Sequence, residues 1–380
     1  MTRVSVSASV LNWALERSGR PEAIRARFTK LPEWLSGKSQ PTLRQLEDFA
    51  KATHTPLGYF FLPNPPEDTL PIPHFRTQGE KKLERPSADL LETVRTMLRR
   101  QAWMREYLIE QGHEALRFVR SRQNTDNPEQ IAREIRDVLH LSEGWAKKEC
   151  DWTAALRALQ TKAENAGILV VVNAIVGNNT HRKLNPDEFR GFVLVDEYAP
   201  LVFINGADGK AAQMFTLAHE LAHIWLGSSA AFDLRNLQPA SDETEQACNR
   251  IAAEFLVPES EFKRFWPSVR DQSDCFQRIA CRFKVSELVA ARRAFELQMI
   301  KKTEFLNFYK KYQERERRVS TRQAGGDFYA TQNLRLSRRF AEAVIRAVKE
   351  GKLLYHEAYR LTGLYGKTFE QYAKYLSPER

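Results

Sequence analysis

The stretch Phe215-Thr-Leu-Ala-His-Glu-Leu-Ala-His-Ile-Trp225 constrains this chain more than any other. Written as a helix it is apolar on most sides, so it belongs in a core. The polar groups it carries into that core need partners. His219 and His223 are four residues apart, and a helix places such residues on one face, about 6 Å apart along its axis. Two ligands of one tetrahedral zinc can span that distance. Glu220 follows the first histidine and is placed to act as a general base on water at the same site. A pair of hydrogen-bonded core histidines is the plainer alternative. The His-Glu-x-x-His order points instead to metal-assisted hydrolysis, with a peptide bond as the expected target.

The flanks agree with this reading. Gly191-Phe-Val-Leu-Val-Asp196 and Leu201-Val-Phe-Ile204 are short, branched and aromatic runs that read as strands. Asn205, Gly206, Asp208 and Gly209 mark a turn, and a helix is expected from Ala211 to Leu226, stopped by Gly227. A second helix is expected from Asp242 to Leu256, with Ser241 as N-cap, Pro258 beyond its end, and Ala247, Ile251, Ala252 and Phe255 as its apolar face. A catalytic zinc needs a third protein ligand and one open position. Glu245 lies near the apolar face, one turn before Asn249, and is the leading candidate. Glu243, at the helix start where an acid serves the dipole, Glu254, read as a surface residue, and Cys248, a chemically credible ligand, stay open as alternatives.

Four blocks in order carry a family resemblance: Glu188-Phe-Arg-Gly-Phe192, Pro200-Leu-Val-Phe-Ile-Asn205, Phe215 to His223, and Glu245-Gln-Ala-Cys-Asn-Arg-Ile-Ala-Ala-Glu-Phe-Leu-Val-Pro258. With them, residues 167–258 resemble the ImmA/IrrE metallopeptidases. The resemblance implies a zincin-like core with a small twisted sheet and one zinc ion. It implies His219, His223 and Glu245 as the ligands and Glu220 as the catalytic base. Cys248 stands where such proteins often carry alanine. Family members resemble proteases that cut repressors and so switch on stress or mobile-element genes. Fused members also resemble transcription regulators or antitoxins encoded beside small toxins. The implied protein partner is therefore a repressor-like substrate or, in the alternative, a small toxin that is gripped and not cut.

A second resemblance lies at the N-terminus. Leu31-Pro-Glu-Trp-Leu-Ser-Gly37, Pro41-Thr-Leu-Arg-Gln-Leu-Glu-Asp-Phe-Ala50 and Pro56-Leu-Gly-Tyr-Phe-Phe-Leu62 make residues 11–62 similar to a degenerate Xre-type helix-turn-helix domain. Leu43, Leu46, Phe49 and Ala50 form one helical stripe opened by Pro41 and Thr42, with Trp34 and Leu35 filling a small core. Residues 1–60 hold nine Lys/Arg against five Asp/Glu, which suits phosphate contacts. Arg25, Arg27, Lys30 and Lys38 are the candidate contacts to double-stranded DNA; the alternative use of this head is protein docking.

At 380 residues the chain exceeds one typical core. The expected fold is α+β, mostly helical. The expected division is a helix-turn-helix domain at 1–65, a proline-rich linker at 66–87, a helical middle domain at 88–166, the metallopeptidase-like core at 167–300, and a basic helical region at 301–380. The middle domain is read as orienting the head or pairing two chains into a homodimer. The last region holds 18 Lys/Arg against nine Asp/Glu, so it carries most of the net charge of +10 and favours an acidic partner. One long helix is expected over Val285–Tyr312, a turn and short edge strand at Gly325–Ala330, and two helices over Ser337–Tyr375. Gly325 and Gly326 are candidates to line a cleft, and Tyr198, Tyr329 and His181 are candidates to steady an oxyanion. Cys150, Cys248, Cys275 and Cys281 form no paired framework. With no 18-residue apolar run and no signal-peptide core, the expected location is the cytoplasm, with no membrane partner.

Overall fold

A computed structural model describes residues 3–67, 86–227, 230–232, 243–316 and 328–376. The prolines from Pro71 to Pro73, His74, Ser241, Asp242, Arg317, Arg318, Gly325 and Gly326 lie outside the described residues. Most of the described chain is helical, with a small mixed sheet, which is the α+β architecture expected.

The chain divides into two compact units. The first contains α1 (Ala8–Arg17), α2 (Pro21–Arg27), α3 (Leu31–Leu35), α4 (Leu43–Ala52) and a tight helical turn at Leu57–Phe61. Its small core joins Val10, Leu11, Trp13, Leu15, Ile24, Leu31, Trp34, Leu46, Phe49 and Phe60. Thr42 accepts a hydrogen bond from the Gln45 backbone at 3.3 Å while the Gln45 side chain accepts from Thr42 N–H at 2.9 Å, so two orphan donors at the start of α4 are satisfied together. Leu43 is not in the core stripe; it remains 44 % exposed. The helix α5 (Ala88–Glu110) opens within this unit, where Arg95 donates to the Tyr59 hydroxyl at 3.4 Å.

The second unit takes up α5 from Thr96 onward. It then runs through α6 (Pro128–Val138), α7 (Trp152–Asn165), β1 (Leu169–Asn173), β2 (Ile175–Val176), β3 (Asn179–Lys183), β4 (Gly191–Leu194), β5 (Leu201–Asn205), α8 (Lys210–Leu226), β6 (Ala230–Phe232) and α9 (Glu243–Leu256). After these come α10 (Glu259–Phe265), α11 (Cys275–Phe283), α12 (Glu287–Glu296), α13 (Lys302–Glu316), α14 (Phe328–Leu336), α15 (Arg338–Lys349), α16 (Tyr355–Thr362) and α17 (Lys367–Leu376). The sheet order is β1-β5-β4-β6, with β1 parallel to β5 and the other pairs antiparallel. Every residue of β1, β4 and β5 is buried, which is why these strands read as unbroken apolar runs. The helix α8 lies on β4 and β5, α9 packs along α8, and α6 and α7 cover them. One core joins Ile131, Ile135, Leu156 and Leu159 of α6 and α7 to Leu221, Trp225, Ile251 and Phe255 of α8 and α9. Among the described residues no helix is long and apolar enough to cross a membrane.

Three expectations are corrected. The run 285–312 is two helices, because the chain turns at Gln298, whose φ is +59°, and Met299 N–H closes back onto Ala294 O at 2.8 Å. The segment from Phe328 is helical and not an edge strand. Residues 338–376 form three helices, interrupted at Gly351 and Gly363, both with φ of +71°, a conformation glycine adopts without strain.

Candidate functional site

The site is built on α8 and α9. α8 ends at Gly227, which takes the left-handed conformation at φ +78° and donates to His223 O at 2.8 Å. Its remaining carbonyls are met from an adjoining loop: Arg120 N–H donates to Ile224 O at 3.0 Å and Arg122 N–H to Trp225 O at 3.1 Å. Phe118 stacks on Trp225 at 4.5 Å between ring centroids. Helix ends left without such partners fray, so this loop fixes the turn that carries His223. On the sheet side, Phe189, Phe192 and Phe203 form an aromatic trio, with Phe192 and Phe203 stacked at 4.9 Å. Asn205 ties its own side chain to Phe189 O at 3.1 Å, and Arg190 pairs with Asp208 at 3.3 Å. The Glu188–Phe192 and Pro200–Asn205 blocks are therefore the platform on which α8 rests.

His219, Glu220 and His223 are fully buried at 0 % exposure, and Glu245 is 6 % exposed. The Nε2 atoms of His219 and His223 are 3.0 Å apart. Glu245 Oε2 is 3.2 Å from His219 Nε2, and Glu245 Oε1 is 3.1 Å from His223 Nε2. Two donors on a tetrahedral zinc at about 2.0–2.1 Å lie about 3.3 Å apart; the two nitrogens come near that spacing, and each faces a different oxygen of Glu245 at a similar distance. Cys248 joins the cluster: its Sγ and one nitrogen of each of His219 and His223 lie within 4.8 Å of one another. The carboxylate and the thiol are the two groups that could complete the donor set beside the histidines.

The electrostatics suit a cation. Burial lowers the pKa of His219 against the opposing pull of Glu245 and Asn249, which favours the neutral imidazole a metal requires. Burial alone would push the Glu245 carboxyl up, but hydrogen bonds and charge from His219 and His223 outweigh it and hold Glu245 well below the usual carboxylate range. Glu220 is raised well above its ordinary value, first by burial and then by the charge on Glu245. Neither Glu220 oxygen, nor the Thr216 hydroxyl one turn before it, has a hydrogen-bond partner among the described residues. A buried acid without a partner is costly, and a ligand at this position would supply what it lacks.

The alternatives weighed for the third ligand separate by environment. Glu243 is exposed at the start of α9. Glu254 is not a surface residue as expected: it is 6 % exposed and ion-paired with Arg293. Arg293 Nε also donates to Val257 O at 3.0 Å, and Arg136 donates to Glu254 O at 2.9 Å and Phe255 O at 3.2 Å, so this group ties down the end of α9. Tyr198 follows the end of β4 opposite Gly191, beneath the Arg105 guanidinium. His181 is exposed on β3. Tyr329 stacks on Tyr375 at 5.1 Å among the last helices. Arg25, Arg27, Lys30 and Lys38 are all exposed on the first unit.

Two residues at the site carry roles that the sequence reading did not assign. Gly191 opens β4 against α8: a Cβ there would meet Thr216 Cγ2 at 2.5 Å, Phe203 O at 2.8 Å and Glu220 Oε1 at 3.3 Å. Thr216, four residues before Glu220, shares its helix face. The i−4 spacing and a glycine at a strand start were the available signals.

Comparison with known families adds two matches. Residues 163–295, about a third of the chain, match the model of the IrrE N-terminal-like domain, a peptidase family. Residues 336–375 match a domain of unknown function, DUF8813. Searches of curated proteins and of solved structures return no match.

Proposed function

We propose that this chain is a zinc-dependent peptidase, with His219, His223 and Glu245 as the metal ligands and Glu220 as the general base, acting on a regulatory protein such as a repressor. The observation that carries the reading is the pair of imidazole nitrogens 3.0 Å apart, each facing one oxygen of Glu245 at 3.2 and 3.1 Å, together with a buried Glu220 carboxylate that has no hydrogen-bond partner among the described residues. The family match over residues 163–295 supports it. A zinc ion held there supplies Lewis acidity, lowering the pKa of water and polarising a carbonyl. Glu220 then takes the proton from the attacking water and delivers it to the leaving amine. Asn249 hydrogen-bonds to His219 and helps to hold the ring in place.

The test is a matched pair of proteins. Metal analysis of the purified chain is expected to return one zinc, and Glu220→Gln is expected to keep that zinc while losing about 10²–10⁴-fold in cleavage of a repressor substrate. Undiminished cleavage by metal-replete Glu220→Gln would remove Glu220 from the mechanism.

One observation favours a second reading. His219, Glu220 and His223 are inaccessible to solvent, so a polypeptide reaches them only after this region opens. A regulator or antitoxin that binds zinc, grips a small toxin and does not cut it is consistent with that closure. The head would then contact operator DNA through Arg25, Arg27, Lys30 and Lys38. The five residues of α3 (Leu31–Leu35) span only about 7.5 Å, short for base reading along a major groove about 12 Å wide, so phosphate contacts would dominate. A small partner that co-purifies intact separates this reading from time-dependent cutting that a chelator stops.

A further inference from the structure

We propose that Cys248 is a fourth donor to the metal centre, and that its thiolate closes the position hydrolysis needs, leaving the resting protein latent. The inference rests on reading His219, His223 and Glu245 as the metal centre. It begins with α9, where Glu245 and Cys248 are three residues apart and so lie on one face, one turn from each other. Both are buried, Cys248 at 0 % exposure. Glu245 reaches the two imidazoles at 3.1–3.2 Å, and Cys248 Sγ lies with the histidine nitrogens inside a sphere of contacts no wider than 4.8 Å. Zinc–sulfur and zinc–nitrogen bonds of about 2.3 and 2.0–2.1 Å place such donors about 3.5 Å apart in a tetrahedron. The remaining gap is within the swing of a cysteine side chain between staggered rotamers. A second observation comes from the next residue of α8 after His219: the Glu220 carboxylate is fully buried with no hydrogen-bond partner among the described residues, and the charge on Glu245 acts on it.

The chemistry of the donor set gives the consequence. Three protein donors leave a tetrahedral ion one position for water; four close it, as in sites that serve structure alone. Thiolate is a soft ligand that zinc and cobalt accept readily and magnesium does not. On closure the Sγ–H bond breaks, a metal–Sγ bond forms, one water leaves the ion and the proton passes to solvent. Opening reverses each change and needs no oxidant. A small buried cysteine that merely fills the core would do none of this.

Cobalt(II) distinguishes the two. The full chain, stripped of metal and reloaded with one cobalt, is expected to show visible d–d bands together with a near-ultraviolet thiolate-to-cobalt band. Cys248→Ala is expected to keep the d–d bands and lose the thiolate band, with Cys150, Cys275 and Cys281 still present as controls. Its zinc affinity, measured by chelator competition, is expected to fall by at least about tenfold. Cys248→Ser serves as a second variant of nearly the same size, so that a packing defect in the alanine form is recognised. A wild-type spectrum with d–d bands but no thiolate band, unchanged in Cys248→Ala, overturns the inference and leaves the metal centre standing. An absence of any cobalt spectrum, unchanged by His219→Ala, overturns the metal centre itself and the inference with it.

Discussion

A strand can approach a helix closely only where one of them lacks a side chain, and Gly191 is that place in this molecule. Its Cα faces Thr216 and Glu220, and an added Cβ would stand 2.5 Å from Thr216 Cγ2 and 2.8 Å from Phe203 O. Neither contact is the far end of a flexible chain, so β4 or α8 must move. Gly191→Ala is therefore expected to cost about 1–3 kcal/mol of stability and to lower activity further by displacing the Glu220 carboxylate. Adding Thr216→Ser removes the nearer clash and should recover part of the stability, while the Phe203 carbonyl still limits it. Denaturant titration of the single and double variants checks this; equal stability of Gly191→Ala and wild type would mean that the strand does not bear on the helix here. At this scale the sequence was most legible where the geometry is local. His219, Glu220 and His223 were proposed from helical spacing alone, and the structure brings the two imidazoles to 3.0 Å. Among the glutamates of α9, packing separates Glu245, which faces the two histidines, from an exposed Glu243 and an ion-paired Glu254. The role of Gly191 was hidden, because it depends on a strand–helix distance that no local pattern encodes.

Secondary-structure elements were legible through their stop signals. The helix α8 begins at Lys210, one residue before the expected Ala211, and ends at the expected Leu226, and α9 ends at the expected Leu256. Apolar spacing failed where a tight turn interrupts it: residues 285–312 read as one long helix, yet the chain turns at Gln298. Another non-local feature sets a pH response. Ser337 donates to the Glu164 carboxylate at 2.5 Å, and the Arg338 backbone donates to it as well, so Glu164 of α7 caps α15. Burial nevertheless wins and raises its pKa to about 7, from 4.5 in the open chain. A group raised in the folded state contributes fully below its unfolded value and loses that contribution as pH climbs through the folded value. Glu164 therefore penalises folding progressively between pH 4.5 and about 7. Glu164→Gln keeps an oxygen for Ser337 and carries no charge. Its stability relative to wild type should be higher at about pH 8 than at about pH 5. Urea titrations at the two values decide it, and a difference that does not change with pH would mean that Glu164 is hydrated in the folded protein.

At the scale of the whole molecule, amphipathic stripes tell which helices bury a face and not which neighbour receives it. That is why α6 and α7, read from the sequence as part of a middle domain, are found in one core with α8 and α9. The described chain instead divides near Arg95, and all of the proposed donors, His219, His223, Glu245 and Cys248, fall in the second unit. A ligand that binds only the folded form stabilises the cooperative unit that contains its site, by about 4 kcal/mol when present at a thousand times its dissociation constant. A unit with its own core and none of the ligands gains nothing. Calorimetry of the full chain is accordingly expected to resolve two transitions, and chelation should shift one of them to lower temperature while leaving the other in place. In His219→Ala the sensitive transition should already lie at the chelated position and should not respond to added zinc. Two transitions that move together would show that the units unfold as one, and two that ignore both chelator and zinc would show that no metal contributes to the fold.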